Sequence, residues 1–216
     1  MLRANNIYKT YGDLTVLRGI DLEVKQGEIV AIVGASGAGK STLLHILGTL
    51  DRPEKGSLHL NNTDIVTLTS RELSEFRNQN IGFIFQFHNL LPEFTVLENV
   101  CIPGYIYNKD HSGIESRAKE LLHHLGMTDR LDHKPSQLSG GEQQRTAVAR
   151  ALINQPVIIL ADEPSGNLDS KNAKELHQLF FNLRDQYGQT FVIVTHNEEL
   201  AEMTDRKLEI VDGVIK

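Results

Sequence analysis

The sequence predicts an α/β protein: a parallel-sheet core with an antiparallel β-subdomain at one edge and a helical insertion. Three observations predict it. Short apolar runs recur along the chain, helical stretches alternate with them, and each run ends beside a chemically pointed residue.

In chain order, residues 1–28 and 55–66 alternate apolar and polar positions (Ile20, Leu22, Val24; Leu58, Leu60), the pattern of a small antiparallel sheet with one buried face. IVAIV (29–33), IGFIF (81–85), VIILA (157–161) and FVIV (191–194) read as strands buried on both faces, which is how parallel strands read. From Ser41, Leu43, Leu44, Ile46, Leu47 and Leu50 recur at helical spacing. A second helix runs from Ile114 through Ala118, Leu121, Leu122 and Leu125, with Gly126 placed to end it. A third carries Leu176, Leu179, Phe180, Leu183 and Tyr187, with Gly188 behind it. Residues 87–154 show helical periodicity and almost no strand signal. The expected organisation is therefore one domain over 1–216, with 1–86 and 155–216 forming the core and its β-subdomain and 87–154 a helical subdomain.

Composition narrows the function classes. A net charge of -6 disfavours a nucleic-acid backbone binder, which needs a basic face. No apolar run reaches the length of a membrane span, and the first residues, MLRANNIYKTYG, hold no apolar segment of the signal-peptide kind. The expectation is a chain that stays in the cytosol. The single cysteine, Cys101, fits a reducing compartment and reads as a small apolar filler.

The strand endings carry the chemistry. GASGAGKS (34–41) matches G-x-x-x-x-G-K-[ST] between a strand run and a helix. Backbone N–H groups of Gly34, Ala35, Ser36, Gly37, Ala38 and Gly39 would cradle phosphates, joined by Ser41 and Thr42 at the helix start. Lys40 would reach the β- and γ-phosphates of ATP, and the Ser41 hydroxyl would ligand Mg2+. VIILADEP (157–164) ends a strand in two acids. Asp162 would hold Mg2+, leaving Glu163 as general base for the attacking water. LSGGEQQR (138–145) places Ser139, Gly140 and Gly141 before a helix, a second phosphate cradle or a plain N-cap. If it is a cradle, a second one in a chain with one P-loop makes sense when it faces another subunit's nucleotide.

GASGAGKST, Gln86, LSGGEQQR, VIILADEP, SGNLD (165–169) and His196 together resemble, in order and spacing over the whole chain, the ATP-binding cassette (ABC) ATPases. That resemblance implies a head-to-tail homodimer around two ATP, each between one subunit's P-loop and the other's Ser139, Gly140 and Gly141. It also implies that Tyr11 stacks on adenine, that Gln86 senses Mg2+ and water, that His196 contacts the γ-phosphate, and that Asp169 crosses the dimer interface.

The remaining unusual stretch is FQFHNLLPEFT (85–95). An exposed cluster of Phe87, Leu90, Leu91 and Phe94 would need a cover, and a helix laid in a groove is one such cover. Within the family, this stretch, HILGTLDRPEKG (45–56) and RNQNIGFIFQF (77–87) resemble the ATPases of lipoprotein-releasing systems. That implies a peripheral protein on the cytoplasmic face of the inner membrane, driving permease-like membrane subunits and binding neither nucleic acid nor lipid itself. Macrolide-exporter and cell-division ATPases share most of the pattern and stand as alternatives. More distant rivals are a soluble family member acting on nucleic acid or ribosomes, and a small-molecule kinase, which would have no use for LSGGEQQR.

Overall fold

The computed structural model describes residues 1–107 and 110–216. An N-terminal hairpin of β1 (Leu2–Tyr11) and β2 (Leu14–Val24) leads into β3 (Ile29–Val33), α1 (Lys40–Leu47), β4 (Lys55–Leu60), β5 (Thr63–Asp64), α2 (Ser70–Asn80) and β6 (Ile81–Phe85). Three helices follow: α3 (Val96–Tyr107), α4 (His111–His124) and α5 (Gly140–Leu152). The chain then returns through β7 (Ile158–Asp162), α6 (Ser170–Tyr187), β8 (Thr190–Val194), α7 (Glu198–Met203), β9 (Arg206–Val211) and β10 (Val214–Ile215).

Six strands form the main sheet in the order β10-β9-β3-β8-β7-β6, parallel throughout except for the terminal β10–β9 pair. Four strands, β2-β1-β4-β5, form a separate antiparallel sheet. The four apolar runs are the neighbouring strands β3, β8 and β7 and the edge strand β6, and the alternation of side chains along them builds two cores. Ile159, Ala161, Phe191 and Ile193 point into the core shared with α3 to α6. Their neighbours Ile158, Leu160, Val192 and Val194 point into the core shared with α1 and the antiparallel sheet. Because a fully buried aliphatic side chain contributes roughly 1.5–3 kcal/mol, a polar residue inside any of these strands would be strongly disfavoured. The C-terminal ends, where the cores stop, are where polar groups emerge.

Several elements depart from the sequence reading. Helix α1 ends at Leu47, before Leu50, which is 47% exposed. Thr49 adopts φ 61°, and the Leu50 N–H returns to the His45 carbonyl at 2.9 Å, a left-handed helix ending that takes the chain off the axis. Helix α2 was not foreseen: only Leu73 is buried along it, so the apolar period is missing, and it is started by a reciprocal Thr69–Glu72 capping box. Strands β9 and β10 were also not foreseen, although β9 alternates Lys207 and Glu209 with Leu208 and Ile210; the alternation spans only four residues and β10 only two. Helices α4 and α6 stop where expected, with Gly126 at φ 69° and Gly188 at φ 65°.

Candidate nucleotide site

The loop after β3 is wrapped into a cradle by three glycines at positive φ: Gly34 at 145°, Gly37 at 79° and Gly39 at 105°. Gly34 is required twice over, because a Cβ there would stand 2.3 Å from the Ile210 carbonyl oxygen. Lys40, the first residue of α1, is buried, and its ammonium donates to the carbonyls of Gly34 (2.8 Å) and Ala35 (2.9 Å). Burial lowers its pKa, against the pull of the nearby Glu163 and Asp162 charges. Ala35, Ser36, Gly37 and Ser41 face solvent, while Ala38 and Thr42 are half-buried.

The acids at the end of β7 lie against this cradle. The Ser41 hydroxyl donates to Asp162 Oδ1 at 3.3 Å, so the two oxygens expected to hold Mg2+ converge. Glu163 turns sharply out of the strand at φ 46°, a conformation that costs a non-glycine residue roughly 1 kcal/mol or more. Its N–H donates to the Val194 carbonyl (2.9 Å), and its Oε2 accepts the His196 N–H (3.1 Å). His196 Nε2 stands 3.4 Å from Oε1 but out of hydrogen-bonding geometry, which leaves Oε1 a buried acceptor with no donor. An acceptor in that state is suited to a water molecule.

Gln86 follows β6, but its side chain pairs with Asn167 rather than with Ser41 or Asp162. Gln86 Nε2 donates to Asn167 Oδ1 and Asn167 Nδ2 donates to the Gln86 carbonyl, both at 3.1 Å. Asn167 thus ties the β6 ending to the loop after Glu163. Sequence reasoning gave it no role, because a contact across 81 positions leaves no mark in local spacing. Below the same loop, the buried His177 Nε2 meets the Ser165 hydroxyl at 3.1 Å, another pairing that the sequence did not disclose. Tyr11, at the end of β1, is 49% exposed, and its hydroxyl donates to Asp51 Oδ2 at 2.5 Å.

The second cradle is built differently. Ser139 is the N-cap of α5; its hydroxyl accepts the Glu142 N–H (3.3 Å) and donates to Glu142 Oε2 (2.8 Å). The Ser139 N–H, the Arg130 guanidinium at 2.8 Å and the Ser139 hydroxyl hold the Glu142 carboxyl down at about 2. Gly141 is packed so closely that a Cβ would meet Asn172 Oδ1 at 2.3 Å. Asn172 donates through its own N–H (2.9 Å) and its carboxamide (2.7 Å) to Asp169, the N-cap of α6. Gly140 is exposed, as are Ser139 and Asp169. This group is a connected surface at two helix starts, with its hydrogen bonds directed inward to the chain's own residues.

Of the expected apolar groove, Phe87 (73%), Leu91 (43%) and Phe94 (41%) are exposed, while Leu90 is half-buried. A cleft of about 480 Å³ nearby lies among Leu50, Phe83, Phe85, Pro103, Ile106 and Arg150 and includes none of the four. The segment folds outward because His88 and Asn89 adopt φ 61° and 48°, and Arg150 of α5 clamps both of their carbonyls, at 2.6 and 2.5 Å.

A glycine cradle on a helix N-terminus, a buried lysine and a hydroxyl–carboxylate pair at a parallel strand end define a P-loop nucleotide-binding ATPase. The ABC transporter family profile matches residues 17–166. The chain belongs to the ABC transporter family. It is 63% identical, over 100% of its length and 98% of theirs, to the lipoprotein-releasing system ATP-binding protein LolD of Cytophaga hutchinsonii. It is 60% identical to the protein of the same description from Bacteroides thetaiotaomicron, over 100% and 99% of the two chains. Among solved structures, it is similar to a dimeric, post-hydrolysis ATP-binding cassette bound to ADP and phosphate (TM-score 0.90, 40% identity, 100% and 97% covered). It is also similar to cbiO1 of Clostridium perfringens, part of an ABC transporter complex (TM-score 0.90, 26% identity, 100% and 86% covered).

Proposed function

We propose that this chain is the ATP-hydrolysing subunit of a membrane complex that releases lipoproteins from the inner membrane, bound peripherally at the cytoplasmic face. The observation that carries the enzymatic half is the buried, donor-free Glu163 Oε1 beside the P-loop and His196. ATP is held by its phosphates on residues 34–42, with Lys40 leaving the loop carbonyls for the β- and γ-phosphates and Tyr11 stacking on the base. Among the described residues no group of three or more His, Cys, Asp or Glu could hold a metal. Ser41 and Asp162 nonetheless fit Mg2+, a hard cation that takes one or two carboxylates, an alcohol oxygen, phosphate oxygens and water. Gln86 joins that set by releasing Asn167. When bound, Mg2+ neutralises charge on the β- and γ-phosphates. Glu163 accepts the proton of the attacking water, and His196 positions the γ-phosphate.

Ser139, Gly140, Gly141 and Asp169 belong to the other subunit's nucleotide, so two copies close head to tail around two ATP. Closing and opening drive permease-like membrane subunits of the LolC/LolE type; among the described residues, no helix is long and apolar enough to cross a membrane. Support for lipoprotein release over the macrolide-exporter and cell-division alternatives comes from four relatives described as LolD, 58–63% identical across this whole chain. The test is ATP-dependent release of a lipoprotein from proteoliposomes holding the membrane subunits and this chain. Release with the wild type and none with Glu163→Gln supports the reading. ATP hydrolysis without release in the same vesicles contradicts the lipoprotein assignment and leaves the ATPase intact.

A further inference from the structure

Tyr11 presents half of its surface to solvent, yet it is not a loose side chain. Its backbone is paired with Leu14 in the β1–β2 ladder. Its hydroxyl donates to Asp51 Oδ2 at 2.5 Å, the length of a strong O–H to carboxylate bond. The Lys9 ammonium lies over the ring, 5.0 Å from its centroid, at cation–π distance. Asp51 is itself fixed, since its Oδ1 accepts from Lys9 Nζ and from the Arg52 N–H, both at 2.7 Å, and Lys9 also donates to the Arg52 carbonyl at 2.9 Å. Lys9 and Asp51 are largely withdrawn from water, with side chains 12% and 29% exposed, so the pair is screened less than an open surface ion pair.

A free aromatic ring on a strand end samples several rotamers, and a ligand that stacks on it must first order it. Here the ordering is done before any ligand arrives. The lysine occupies one face of the ring, and about half of the residue, 49%, stays exposed to receive a flat partner. The hydrogen bond to Asp51 raises the Tyr11 phenol, so it stays a protonated donor. Burial works against the Asp51 charge, but the bonds from Lys9 and Tyr11 hold its carboxyl below the usual carboxylate range.

We infer that Asp51, with Lys9, is a positioning residue for nucleotide binding: it locks Tyr11 in advance as the stacking platform for the base. The inference rests on the reading of Tyr11 as the base-stacking residue and extends it to side chains that never touch the nucleotide. Stacking accepts any planar base, so Asp51 acts on the base half of the ligand and not on the triphosphate.

The test measures Mg2+-dependent binding of ATP, and competition by inorganic triphosphate, with the full chain carrying Tyr11→Ala, Tyr11→Phe, Asp51→Ala, Asp51→Asn, or Tyr11→Phe with Asp51→Ala. The inference predicts that Asp51→Ala and Tyr11→Phe each weaken ATP about three- to ten-fold, the factor expected when one ordered side chain is set free. The double variant is no worse than either single one, because both remove the same tether. Asp51→Asn, which keeps an acceptor, recovers most of the loss. Triphosphate affinity stays constant in all of them, and the turnover loss falls on KM for ATP rather than on kcat. If Tyr11→Ala weakens ATP but Asp51→Ala does not, or if Asp51→Ala weakens triphosphate equally, the positioning role is wrong and Asp51 is a clasp between β1 and the α1–β4 loop. If Tyr11→Ala has no effect either, the stacking reading has failed and takes this inference with it.

Discussion

The P-loop and the Ser139 surface are both glycine-containing helix starts, and they are finished to different degrees. The P-loop has its charge partners within the chain: Lys40 on its carbonyls, and Ser41 against Asp162 from a strand 121 positions away. Ser139 satisfies itself with Glu142, and Glu142 with Arg130, leaving an exposed edge made by Ser139, Gly140 and Asp169. One cradle sits at the end of a parallel sheet with its charged partners in the same chain. The other sits on helices and, under the proposed function, faces the nucleotide of a second copy. A helix cap and half of a composite site look the same until the second half is supplied.

That contrast is sharpened most strongly by Glu163→Gln. With the base gone and the P-loop intact, turnover should fall about 10²- to 10⁴-fold while equilibrium ATP binding is retained. Binding lost along with turnover would mean that Glu163 holds the cradle together instead. Ser139→Ala comes next. It should lower turnover about 10- to 100-fold, the effect of removing a hydrogen bond to a charged group, and should abolish ATP-dependent dimers in light scattering. Binding to the monomer's P-loop should survive, and a monomer that fails to bind ATP would break the division between the two cradles.

Glu142→Gln probes the capping side of the same surface. The folded-state carboxyl sits at about 2 against an ordinary 4.5. A depressed pKa stabilises the fold above the unfolded-state value and loses that contribution as pH falls through the folded one. The variant should therefore be less stable at pH 7 by roughly 1–2 kcal/mol, allowing for solvent screening at this partly exposed group. In denaturant titrations the gap should close between about pH 4.5 and pH 2. A gap that is independent of pH would show that the charge is not what holds the cap. The smallest effect is expected for Asn167→Ala, which breaks the reciprocal pair with Gln86. It should cost roughly 0.5–1.5 kcal/mol in kcat/KM.

Legibility followed the same divide. GASGAGKS and VIILADEP could be read because a strand buried on both faces admits no polar residue until it ends, so the ending is conspicuous. Strands β3, β6, β7 and β8 were visible for the same reason, and the ends of α4 and α6 because a glycine follows each. Asn167, Arg150 and His177 were not, since each acts on a partner brought in by the fold from a distant segment. The apolar segment after Gln86 was noticed, but the cleft beside it was not: the backbone turns at His88 and Asn89, and that cleft is assembled from α2, α3, α5 and β6. Helix α2 lacks the apolar period that pattern reading depends on, β10 is only two residues long, and the short alternation of Lys207, Leu208, Glu209 and Ile210 in β9 was passed over.

The central claim is that each nucleotide is held between two copies of the chain, and mixing variants tests it most directly. Lys40→Ala and Ser139→Ala proteins are each prepared, measured alone, and then measured mixed one to one. Both should be nearly inactive alone. The mixture should recover ATP turnover, because a mixed dimer joins the intact Lys40 of one copy to the intact Ser139 of the other. If the mixture is no more active than its components, the two cradles do not serve one nucleotide across an interface.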